Sequence, residues 1–125
     1  AALAQLRAHA PVAIVTDGAE AMQARKAQAL GLYEKTDAVI LCDSLGKAKP
    51  DPAGYHAALE ALGADAESAL VIGDDPFHDL EAARRLGSRA IRVRTGRLAS
   101  LETPDPWSGS EEYASFAAAV DGLLK

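Results

Sequence analysis

This sequence has a single cysteine, Cys42, in 125 residues, which excludes a disulfide framework and a thiolate metal cluster. It has no apolar run near the roughly 20 residues that cross a bilayer as a helix, and no secretory signal is visible. Basic residues are in deficit, 13 against 18 acidic ones, and the net charge of −5 argues against a nucleic-acid backbone as partner. No repeat of solenoid period occurs. These absences lead us to expect a cytoplasmic, soluble protein with neither membrane nor nucleic acid as partner. What is present suits one globular domain: 49% hydrophobic residues can build a core, and 25% charged residues is an ordinary share.

Short apolar runs rich in β-branched residues at Val12–Thr16, Val39–Cys42, Leu70–Ile72 and Ala90–Val93 read as strands. Helical patterns separate them. Tyr55, Ala58, Leu59 and Leu62 fall at i, i+3, i+4 and i+7, with Asp51-Pro52 as the start signal and Gly63 as the stop. Segments Ala19–Leu30 and Leu80–Leu86 run into Gly31 and Gly87 in the same way. Residues 102–110 (ETPDPWSGS) form a loop-like break, and residues 111–125 read as a terminal helix with Phe116, Val120 and Leu123 on one side. Strands that are apolar throughout, alternating with helices, predict an α/β fold: a Rossmann-like parallel sheet with helices on both faces.

In such sheets the ligand crevice lies outside the carboxyl ends of the strands. Thr16-Asp17-Gly18 follow the first strand, Asp43 to Pro50 the second, and Asp74-Asp75 the third, with Asp79 close behind. Grouped carboxylates suit a hard divalent cation such as Mg²⁺, which would relieve their mutual repulsion. Helix capping by Asp75 or Asp79, with Asp74 as a turn former, is the alternative. Thr16, Asp17 and Gly18 pass into a helix N-terminus, where free N–H groups attract anions; a plain capped turn would look the same. Either Lys47 or Lys49 could reach a phosphate from the loop stiffened by Pro50 and Pro52, and composition does not choose between them. His78 lies between Asp75 and Asp79 and has some chance of touching the site. Cys42 reads as a small core residue. The arginines at 84, 85, 89, 92, 94 and 97 read as solvated helix and edge faces.

Three stretches, taken in order, resemble motifs of the haloacid dehalogenase-like (HAD) hydrolases, chiefly phosphatases of the phosphoglycolate and β-phosphoglucomutase type. VAIVTDG is similar to the second motif, GKAKPDPAGYHAALEALG to the third and LVIGDDPFHDLEAARRLG to the fourth. The resemblance covers about residues 10 to 97. It implies that Thr16 holds the transferring phosphoryl group, that Lys49 rather than Lys47 stabilises nucleophile and phosphate, and that Mg²⁺ is the cofactor. It also implies Asp74 as direct ligand and Asp79 as ligand directly or through a water, with Asp75 the least secure of the three. Asp17, Asp75 and His78 stand where relatives commonly have asparagine, serine and asparagine.

The family's first motif, Asp-x-Asp, supplies the nucleophile from a central strand between those of the second and fourth motifs. No Asp-x-Asp occurs in this sequence, and the chain opens on Ala1 rather than Met. The expectation is therefore a single HAD-like core domain over residues 1–125, the C-terminal portion of the fold, without the nucleophile strand and cap. An upstream segment or a second chain would supply the strand. The expected function is a Mg²⁺-dependent phosphatase acting on a small phosphorylated metabolite (a nucleoside, sugar or organic-acid phosphate), with these residues inactive in isolation. A catalytically inactive phosphate-binding or interaction domain is the alternative of a different class.

Overall fold

Each apolar run forms a strand, and each Gly-terminated pattern a helix. In the computed structural model, which describes residues 1–125, helix α1 (Ala2–Arg7) precedes strand β1 (Ala13–Thr16). Helices α2 (Glu20–Ala29) and α3 (Leu32–Lys35) lead to β2 (Ala38–Leu41), and α4 (Cys42–Leu45) and α5 (Ala53–Leu62) lead to β3 (Leu70–Gly73). A wide helical turn, Pro76–Leu80, runs straight into α6 (Glu81–Leu86), so this helix begins one turn before the sequence pattern suggests. Strand β4 (Arg89–Val93), strand β5 (Glu111–Tyr113) and helix α7 (Phe116–Leu123) complete the chain. No helix is long and apolar enough to cross a membrane.

Three details correct the sequence reading. Residues 111–113, expected in the terminal helix, form a strand parallel to β4, and α7 starts after Ser115, whose hydroxyl accepts from Ala118 N at 3.1 Å. Arginine pairing explains the strand: Arg89 Nε donates to Glu111 at 2.7 Å and Arg94 Nε to Glu112 at 3.1 Å, so charges hold an edge where no apolar run announces one. Cys42 opens α4 instead of ending β2, although it is buried as expected. Asp51 is not the N-cap residue of α5, but its carboxylate still accepts from Ala53 N at 2.9 Å.

The five strands form two parallel sheets. β1 pairs with β2 in the register Ala13↔Ala38 to Thr16↔Leu41, and β3, β4 and β5 pair side by side. No hydrogen-bond ladder joins β1 to β3. Between them lies a cleft of about 540 Å³, walled by Val12–Val15 on one side and Leu70–Ile72 on the other. Ala58, Leu59 and Leu62 of α5 also line it, and Lys49, Tyr55 and Asp79 are at its polar end. The core sits on the other side of β3, where Ile91, Val93 and Ala119 are buried and Leu70, Ile72, Tyr113 and Leu123 pack against them. Helix α5 lies directly on the small sheet: a Cβ at Gly54 would come within 2.7 Å of Cys42 Sγ and 2.9 Å of Val15 Cγ1. That contact fixes the loop before α5 over the end of β1.

Candidate active site

The carboxyl ends of β1 and β3 meet at one buried ion pair. Lys49 Nζ donates to Asp79 Oδ1 at 2.7 Å and to the Val15 carbonyl at 3.3 Å. The side chains are 13% and 9% exposed, so water does little to screen the pair. Burial alone would lower the Lys49 pKa; the charge and hydrogen bond of Asp79, together with Asp17, more than offset this and raise it. The ammonium is therefore kept. Of the two candidate lysines, the structure turns Lys49 inward and leaves Lys47 exposed.

Tyr55, read from the sequence as one residue of an apolar face, is a site residue that reading missed. Its hydroxyl donates to Asp79 Oδ1 at 3.0 Å, and its ring centroid is 5.9 Å from Lys49 Nζ. Burial first, then the charge and hydrogen bond of Asp79, pushes the phenol pKa far up, so the proton stays on oxygen. The available signal was chemical: a tyrosine on a buried helical face needs a partner for its hydroxyl. Asp79 Oδ2 accepts from Asp75 N at 3.3 Å. Gly73 makes room for this arrangement, because a Cβ there would fall 2.4 Å from Asp79 Cβ.

The three aspartates thus have different surroundings. Asp79 is buried and bonded through both oxygens. Asp75 accepts from Phe77 N at 2.9 Å and meets His78 Nδ1 at 2.6 Å, which makes it the cap of the following turn. Asp74 is exposed, and its carboxylate has no hydrogen-bond partner within the chain. No three His, Cys, Asp or Glu side chains converge on one point that could hold an ion. Of the three, Asp74, whose oxygens are free, is the residue that could hold a hard cation. His78 touches this group only through Asp75.

On the β1 side, Thr16 Oγ1 donates to Gln23 Oε1 at 3.2 Å and to the Asp17 carbonyl at 3.3 Å. Asp17 Oδ1 accepts from Lys49 N at 3.1 Å and so ties the lysine loop to the end of β1. Asp43 Oδ2 accepts from Glu20 N at 2.9 Å, taking one of the free donors at the start of α2. Burial, with a hydrogen bond and charge from Asp17, pushes the Cys42 thiol up to about 11, so it stays a neutral core group. The structure therefore brings Lys49, Asp79 and Tyr55 into direct contact and ties Asp17, between Thr16 and Gly18 in the chain, to the Lys49 backbone. Asp74 is at the rim.

Residues 1–87 match the family description "haloacid dehalogenase-like hydrolase". The chain is 43% identical over 77 residues to the phospholysine phosphohistidine inorganic pyrophosphate phosphatase of Xenopus laevis, covering 61% of this chain and 28% of that protein. It is 35% identical over 95 residues to the phosphoserine phosphatase of Thermus thermophilus, covering 76% of this chain and 36% of that protein. Among solved structures it resembles a HAD phosphatase from Thermococcus onnurineus, with a TM-score of 0.82 and 25% identity over 98% of this chain and 54% of that one. The chain thus spans well under half the length of these two relatives and about half of the structural one.

Proposed function

The chain belongs to the haloacid dehalogenase-like hydrolase family, and on that premise we propose that it carries the phosphate- and metal-binding half of a Mg²⁺-dependent phosphatase acting on a small phosphorylated metabolite. The observation that carries this reading is the Lys49–Asp79–Tyr55 group at the shared carboxyl end of β1 and β3, with Thr16 on one side and Asp74 on the other. Likeness to phosphatases of different substrates supports the reaction class and leaves the substrate open.

Phosphoryl transfer depends mostly on positioning and on neutralising charge at the phosphoryl oxygens. Lys49 supplies the cation, since the pair with Asp79 and the bond to Val15 hold its ammonium at the strand ends. Thr16 supplies a hydroxyl donor once it turns from Gln23 to an anion, and the turn through Asp17 and Gly18 adds backbone N–H groups. Asp74 would hold Mg²⁺, with Asp79 reached through a water and Asp75 kept as the turn's cap. When bound, the ion supplies Lewis-acid stabilisation of phosphoryl charge. The nucleophile would come from an upstream segment or a second chain, and the catalytic roles of Lys49 and Thr16 are carried out against that group. Residues 1–125 form one core domain in this reading.

The test is hydrolysis of a generic aryl phosphate by a polypeptide that includes a segment preceding these residues. Turnover should require Mg²⁺ and fall by at least about 10²-fold on Asp74→Asn, the scale on which one transition-state charge contact is lost. The 125-residue chain alone should show no turnover. Activity indifferent to chelator would refute the metal assignment. Hydrolysis by the isolated chain that depends on Thr16 or Lys49 would refute the half-site reading.

A further inference from the structure

Asp79 and Asp74 each have a glycine against them. Gly73 leaves room for Asp79, and Gly96 leaves room for Asp74: a Cβ at Gly96 would fall 2.8 Å from Asp74 Oδ2. Gly96 has a φ of +72°, a conformation that other residues rarely adopt, so backbone rather than side chain lies beside that carboxylate. The approach follows from the sheet. β4 pairs with β3 in the register Gly73↔Arg92, so the two parallel strands end side by side and the chain leaving β4 passes close to the residue leaving β3.

That passage is held from below. Arg92, fully buried, donates to the Leu98 and Leu101 carbonyls at 2.8 and 2.7 Å, and Arg94 donates to the Leu101 carbonyl at 3.1 Å. The short helical turn Gly96–Leu98 is therefore mounted on a buried guanidinium. Arg97 is the middle residue of this turn. The other arginines of the run are all engaged: Arg84 and Arg85 with Glu81, Arg89 with Glu111, Arg94 with Glu112 and Arg92 with the loop carbonyls. Arg97 is exposed, and its side chain has neither an ion pair nor a hydrogen bond within the chain. Its backbone is fixed near Asp74, while its guanidinium contributes nothing to the fold.

We propose that Arg97 binds a second anionic group of the substrate, a carboxylate or a further phosphoryl group, while Thr16 and Lys49 hold the phosphoryl group being transferred. This rests on the phosphatase reading and narrows its substrate class, from phosphorylated metabolites in general to those bearing a second oxyanion. Either oxyanion matches the planar fork of a guanidinium, which pairs with it through two parallel hydrogen bonds. With its charge offset by a cation, Asp74 would not repel an anion arriving at Arg97. Phosphates of neutral alcohols and sugars offer the fork no such partner.

The experiment uses the 125-residue chain, Mg²⁺ in large excess, and three phosphonates that resist hydrolysis. Methylphosphonate carries no second anion, phosphonoacetate adds a carboxylate, and methylenediphosphonate adds a second phosphoryl group. Affinities are read by NMR from the Thr16–Gly18 amides, and the Arg97 Nε–H resonance is followed in the same titrations. At least one of the two larger probes should bind about 10-fold or more tighter than methylphosphonate, the scale of one hydrogen bond to a charged group. It should also shift Arg97, which methylphosphonate should not. Preference for phosphonoacetate would assign an organic-acid phosphate, and preference for methylenediphosphonate a diphosphate. Arg97→Gln should abolish the preference. Arg25→Gln, which removes an exposed and likewise unpaired charge from α2, should keep it and so separate a local contact from net charge. A preference that survives Arg97→Gln, or that Arg25→Gln abolishes as well, would overturn the proposal. Equal binding of all three probes with Arg97 unmoved would overturn it too, and in each of these cases the phosphatase reading stands. If no phosphonate shifts Thr16–Gly18, the phosphatase reading fails and the Arg97 assignment falls with it.

Discussion

The two half-sheets bury their strands unequally. β4 has three consecutive buried residues, Ile91, Arg92 and Val93, whereas every residue of β1 and β2 is only partly buried. The β4–β5 side is closed by its own side chains. Arg92 is fully buried, and its guanidinium donates to the Leu98 and Leu101 carbonyls at 2.8 and 2.7 Å and to Thr103 Oγ1 at 2.6 Å. Glu81 gathers Arg84, Arg85 and Trp107 Nε1, and Trp107 in turn packs edge-on against Phe77 at 5.5 Å, fastening the 102–110 loop to the start of α6. On the β1–β3 side no ladder closes the sheet, and two side chains, Lys49 and Tyr55, reach Asp79 across the gap. A strand is buried when both its edges and both its faces are covered, and β1 has one edge without a backbone partner.

This contrast sets an order of expected effects. The largest is Asp79→Ala, which leaves the buried Lys49 ammonium without its partner and should cost about 3–5 kcal/mol in urea denaturation. Next comes a matched pair. Ile91→Ala in the closed sheet should cost about 2–5 kcal/mol, the usual range for a fully buried isoleucine. The same change at Ile14, on the half-buried wall of the cleft, should cost less than half as much. Equal losses at the two positions would break the comparison. Tyr55→Phe removes one donor from Asp79 and keeps the ring, for about 1 kcal/mol. The smallest effect is read in acid. Hydrogen bonds from Arg84 and Arg85 hold the Glu81 carboxyl down to about 2, from the ordinary 4.5. Between those values the unfolded chain binds the proton and the folded one does not, so this contribution is present above about 4.5 and lost as pH falls toward 2. Glu81→Gln should flatten the stability profile in that window.

The parallel α/β order was legible because continuous apolar runs and glycine stops report burial and helix ends directly. β5 was not, since Glu111-Glu112-Tyr113 is held by arginines 18 to 22 residues away, and no local pattern encodes that pairing. Arg92 was misread as part of a solvated run for a related reason: what neutralises it is a loop's oxygens, brought close only by the fold. The grouping of the candidate site was legible in part. Thr16 ends one strand, Lys49 lies in the connection after the second, and the aspartates follow the third, and strand ends share one edge. The different surroundings of the three aspartates were not, because they depend on Tyr55 and Lys49 arriving at Asp79 from a different segment and leaving Asp74 free.

The central claim is that this sheet edge is a phosphate- and metal-binding half-site. Titrating the protein with inorganic phosphate in Mg²⁺, with residue-resolved NMR, tests it most directly. Shifts should concentrate at Thr16–Gly18, Lys49 and Asp74, and weaken when the metal is chelated. Shifts confined to other surfaces, or unchanged by chelation, would contradict it.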